Sequence, residues 1–66
     1  MTDQMDLLLS QFKVGDRVEL HPATDAWMSG DRYGEVINIG RFYLHVRMDR
    51  SKLLRKLTPD KIQRKV

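Results

Sequence analysis

Hydrophobic residues recur at two different periods along the chain, and the change comes at Phe12. Before it, Met5, Leu8, Leu9 and Phe12 are spaced by three or four residues or nearly so, the pattern of one helical face. Thr2 or Asp3 suits the N-cap, and acidic residues fall in the first turn, where the helix dipole favours them. A helix this short is marginal in isolation. Its apolar side must find cover on the rest of the chain or on another copy. Residues 1–12 are therefore expected as a helical segment and residues 13–66 as a β domain.

From Phe12 onward apolar and polar positions alternate. Val14-Gly15-Asp16-Arg17-Val18-Glu19-Leu20-His21 reads as a Gly-Asp turn followed by a strand with Val18 and Leu20 inward and Arg17 and Glu19 outward, stopped by Pro22. Pro22 to Tyr33 has loop chemistry, and a connection of about a dozen residues is often a binding loop. A second strand runs from Gly34 to Ile39 with Val36 and Ile39 inward, and a bulge is expected near Ile37-Asn38, where strict alternation fails. Gly40-Arg41 turns the chain into its clearest strand: Phe42, Leu44, Val46 and Met48 fall on one face, Tyr43, His45 and Arg47 on the other. After a turn at Asp49-Arg50-Ser51, a strand from Lys52 to Leu57 presents Leu53 and Leu57 to the core. Thr58-Pro59-Asp60-Lys61-Ile62 suits one 3-10 turn with Ile62 tucked inward, before a last strand at Gln63 to Val66. Five short strands, a long first connection, tight middle hairpins and a 3-10 turn before the last strand give the order of a five-stranded SH3-like barrel, whose closure limits exposed edges.

Length and composition narrow the function. With 66 residues, of which 41% are hydrophobic, folding hides only about 60% of the unfolded surface. That core leaves little room for a buried small-molecule pocket, so neither an enzyme nor a cofactor is expected. There is no cysteine, so packing must hold the fold, and a reducing cytoplasm is the expected compartment. No apolar run approaches the ~20 residues of a membrane span, and Met1 to Gln11 lacks the features of a signal peptide. The net charge of +3 hides an asymmetry: residues 1–40 carry three basic and seven acidic side chains, residues 41–66 nine basic and two acidic. Such a split suggests a polar partner, nucleic acid or an acidic protein surface. The alternative is a charged surface that serves solubility.

Val14-Gly15-Asp16-Arg17-Val18, followed by Tyr33-Gly34-Glu35-Val36 and Ile39, resembles the KOW-type SH3-like modules of ribosomal proteins and transcription elongation factors. That resemblance implies a KOW-like barrel and contact with RNA or RNA polymerase, although the first loop is extended here around Trp27. The stretches from His21 to Gly34 and from Leu44 to Ser51 look like a group of short bacteriophage and bacterial proteins, which implies the fold and no particular activity. Phe12-Lys13-Val14-Gly15-Asp16-Arg17-Val18 is also similar to the opening of the plasmid-type dihydrofolate reductases. Their Val-Gln-Ile-Tyr pore motif is absent.

Two surfaces are candidates for binding. Tyr43, His45 and Arg47 stand on alternate positions of a strand, and Arg41, Arg50, Lys52, Arg55 and Lys56 extend the same charge. Rings that stack on bases beside cations that meet phosphates suit nucleic acid. Alternatively, Tyr43 and His45 only cover the outside of the barrel. The second surface is the Trp27-Met28 pair, either a protein-binding anchor or a plug for one end of the barrel. His21 and His45 have no cysteine to complete a zinc site, and Ser10, Ser29, Ser51, Asp25 and Asp31 are expected in turns and caps. The chain thus reads as a binding protein whose partner is nucleic acid or a nucleic-acid-bound machine. The alternative is a protein-interaction module, such as a phage modulator of a host protein. Self-association through Leu8, Leu9 and Phe12 is a third reading.

Overall fold

Val18, Leu20, Val36, Leu44, Val46 and Met48 are fully withdrawn from water, and the strands carrying them are the alternating segments of the sequence. In the computed structural model, which describes residues 9–66, the strands are β1 (Arg17–Leu20), β2 (Tyr33–Ile39), β3 (Leu44–Met48), β4 (Leu54–Leu57) and β5 (Ile62–Lys65). They form one antiparallel sheet in the order β4-β3-β2-β1-β5. Leu57 completes the inward row, with Phe12, Trp27, Ile39 and Ile62 packed partly buried against it. No helix of the described residues is long and apolar enough to cross a membrane.

The local reasons for this path lie in particular residues. Gly15 has φ +100°, a conformation open to glycine without steric cost, and its amide donates to the Val36 carbonyl at 2.7 Å. At Gly34 the need is closeness rather than dihedral freedom: a Cβ there would lie 2.6 Å from Val46 Cγ1 and 2.8 Å from the Arg47 carbonyl oxygen. The register between β2 and β3 shifts between Val36 and Asn38. That is the expected bulge. A short 3-10 turn at Pro59–Lys61 leads into β5, with proline where a missing amide costs nothing.

Four expectations need correction. First, the sheet is not a closed barrel. β4 and β5 are its edges and do not pair with each other, and a cleft lies beside β4, walled by His21, residues 23–26, Asp60 and Lys61. Second, Phe42 is not a core residue. The Gly40 amide donates to the Tyr43 carbonyl at 2.8 Å and Ile39 pairs with Leu44, so Arg41 and Phe42 form the two-residue tip of the β2–β3 hairpin and Phe42 is 50% exposed. Third, Leu53 belongs to the turn before β4, where Lys52 takes φ +64°, and its side chain is exposed. Fourth, the long first connection contains a short helix, α1 (Asp25–Met28), capped by the Thr24 side chain, which accepts from the Trp27 amide at 3.2 Å.

The expected helix at residues 1–12, its N-cap at Thr2 or Asp3, and Met5 and Leu8 lie outside the described residues except for its end. There the Phe12 amide donates to the Leu9 carbonyl at 3.1 Å. Leu9 is buried in the chain's own core and Phe12 packs against it.

Candidate functional site

Folding brings the two oppositely charged parts of the sequence into register. Among the described residues there are five ion pairs: Arg17–Asp49, Arg47–Glu35, Arg55–Asp31, Arg64–Glu19 and Lys65–Asp16. Each joins a residue of the first forty to one from the rest of the chain, so much of the asymmetry is spent within the molecule. The exposed ones among them contribute little to stability, but together the pairs decide which cations keep a free charge. Among the described residues of the basic half, Arg41, Arg50, Lys52, Lys56 and Lys61 have no carboxylate within 4.0 Å.

The β2–β3 hairpin and β4 position the first group of candidates. Arg41 stands at the tip with its guanidinium 5.3 Å from the centre of the Phe42 ring. Tyr43 follows, 45% exposed. His45 is half-buried, its ring against Gly40, and it pairs across the sheet with Lys56 on one side and Asn38 on the other. Residues opposite one another share a face of the sheet, so His45 and Lys56 lie together. Arg47 is on the outer face as expected, with Glu35 3.9 Å away. Arg50 and Lys52 occupy the β3–β4 turn at the opposite end of β3, and the Arg50 guanidinium lies against Gly30 in the space a Cβ would fill.

Arg55 turns the other way. It pairs with Val46, an inward position, and reaches Asp31, a carboxylate only 2% exposed. The Arg55 Nε and Nη2 donate to Asp31 Oδ2 at 3.2 and 3.0 Å, while the Ser51 hydroxyl and amide donate to Oδ2 and Oδ1 at 2.8 and 3.2 Å. Burial pushes the Asp31 carboxyl up, but the Ser51 hydroxyl, the Arg55 guanidinium, the Ser51 amide and the Arg55 charge together hold it below its ordinary value. Asp31 is therefore no surface cap. It ties the end of the first connection to the β3–β4 turn and β4. The clue was available in β4, since an arginine at the same parity as the core residue Leu57 must face inward and requires a buried acid.

Trp27 and Met28 part company. Trp27 is half-buried against the core with the Arg32 guanidinium 4.7 Å from its ring centre, whereas Met28 is 79% exposed. The expectation that both side chains share one environment fails because neighbours on α1 point about 100° apart. No known protein family, curated protein or solved structure matches the chain.

The cleft beside β4 has a volume of about 610 Å³ and is walled by His21, Asp25, Lys56, Asp60 and Lys61 among others. Its charges are of both signs. His21 Nδ1 is already occupied, accepting from the Ala23 amide at 3.0 Å. Among the described residues no three histidine, cysteine, aspartate or glutamate side chains gather as metal ligands.

Proposed function

We propose that this chain is a small SH3-like, KOW-like module of the cytoplasm that acts by binding and not by catalysis. Its partner is nucleic acid, or a machine carrying nucleic acid, contacted through the hairpin tip and the adjoining outer face of β3 and β4. The fold assignment is supported by the strand order β4-β3-β2-β1-β5 and by the 3-10 turn before the last strand. The observation that carries the partner is the set of cations that folding leaves without a carboxylate. Arg41 and Lys56 flank exposed or half-exposed rings at Phe42, Tyr43 and His45, while Arg50 and Lys52 add charge at the far end of β3.

Fluorescence titration against single- and double-stranded DNA and RNA tests this reading. Release of counterions from about three phosphates gives a slope of about −2 to −3 in log K against log salt. Arg41→Glu and Lys56→Glu should each weaken binding, whereas Arg64→Glu, on the far edge strand, should not. Absence of binding at low salt refutes the proposal.

A protein-interaction module stands second, supported by the exposure of Met28. The partial burial of Trp27 beneath Arg32 favours a structural role for the tryptophan, and Trp27→Ala should destabilise the fold.

A further inference from the structure

Phe42 and Tyr43 stand next to one another at the end of a hairpin, both exposed and both outside the core cluster. About half of each side chain remains in water, so folding draws only part of the burial these rings could supply. The main chain beneath them is well held. The Gly40 amide donates to the Tyr43 carbonyl at 2.8 Å, Ile39 pairs with Leu44, and the His45 ring lies against Gly40. The tip thus presents two rings and one guanidinium from a fixed backbone, with Lys56 opposite His45 on the face that Tyr43 shares with His45 by alternation.

We propose that this tip takes unpaired nucleotides, with bases stacking on Phe42 and Tyr43 and the neighbouring phosphates meeting Arg41 and Lys56. The inference rests on the nucleic-acid reading above and specifies its ligand as single strands. In a duplex the base faces are occupied by their neighbours, and only edges are offered in the grooves. At an edge a phenyl ring can meet little beyond the thymine methyl. It has a face for a base that has left the stack, and such stacking tolerates any sequence because every base has a π-face. Charge points the same way. Tight duplex binding without base contacts needs many phosphate contacts, and here two free cations, Arg41 and Lys56, lie near the rings while Arg50 and Lys52 lie at the other end of β3.

The test uses the full chain and three labelled probes in about 50 mM salt: oligothymidylate and oligouridylate of about twelve nucleotides, and a DNA duplex of the same length. Both single strands should bind more tightly than the duplex. Phe42→Leu and Tyr43→Leu should each reduce single-strand affinity about 5- to 150-fold and leave duplex binding unchanged, while Tyr43→Phe, which keeps the ring, should bind as the native chain does. Thermal unfolding confirms that the variants fold. NMR of the unaltered protein supplies a reading independent of any variant: the ring protons of Phe42 and Tyr43 should shift on addition of oligothymidylate. Equal affinity for duplex and single strand, losses below twofold in both leucine variants, or unmoved ring protons would each overturn this inference while leaving the nucleic-acid reading in place. Failure of all three probes to bind removes both, and points to a protein as the partner of the rings.

Discussion

Replacing Asp31 with asparagine keeps the shape of the side chain and removes its charge. In the native protein the carboxylate accepts four hydrogen bonds, two from Ser51 and two from Arg55. An amide retains one acceptor oxygen and turns an NH2 group toward donors. Removing one partner of a fully buried pair costs about 3–5 kcal/mol, but the Arg55 side chain is 31% exposed and can regain water, so we expect a loss of about 1.5–3 kcal/mol. A domain of this size has roughly 3–10 kcal/mol of stability in all. The variant should therefore melt about 6–24 °C lower.

Urea unfolding of native and variant chains between pH 7 and pH 2 tests the argument in a second way. The folded-state pKa of Asp31 lies below its ordinary value of 3.8. Its contribution is therefore fully present above the unfolded pKa and is lost as pH falls through the folded one. The stability difference between native protein and Asp31→Asn should be constant above about pH 5 and shrink progressively below about pH 4. A difference under about 0.5 kcal/mol at pH 7, within the usual range of surface substitutions, would show that the network does not hold the β3–β4 turn. A difference that persists unchanged at the lowest pH would show that charge is not the cause.

Three other perturbations probe the backbone and the core. Gly34→Ala forces a methyl group onto the Val46 side chain and the Arg47 carbonyl and should cost about 1–3 kcal/mol; an unchanged melting temperature would contradict the close approach of β2 and β3. Lys52→Gly relieves a side chain at φ +64° and should stabilise the fold by about 0.5–1 kcal/mol, measurable as a higher urea midpoint. Leu57→Ala, at a buried position, should cost about 2–5 kcal/mol, whereas Leu53→Ser and Leu54→Ser, both at exposed positions, should stay within about 0.5 kcal/mol; similar losses at all three would place β4 in the wrong register.

The strands and their inward residues were legible because alternation is a local property: Val18 with Leu20, and Leu44 with Val46 and Met48, declare a face through spacing alone. The bulge at Val36–Asn38 was legible for the same reason, as a break in that spacing, and Gly15 and Pro59 marked turns by their backbone chemistry. Alternation says nothing about where a strand stops. Phe42 continues the parity of Leu44, and Leu53 that of Leu57, but hairpin closure between Gly40 and Tyr43 and the turn through Lys52 place both side chains in water.

The charged groups depended most on tertiary structure. Net charge and its division along the chain are read from composition, but which cations stay free depends on contacts between residues far apart in sequence, such as Asp31 with Arg55 and Glu19 with Arg64. By itself the sequence determined a β domain of five short strands with a basic second half. Pairing across the sheet decided that Arg55 is structural, that Arg41 and Lys56 keep free charges, and that Phe42 stands beside Tyr43 at the surface. The physical reason is that hydrophobic periodicity is encoded by neighbours, whereas electrostatic pairing and chain reversal are set by the partners that the fold brings near.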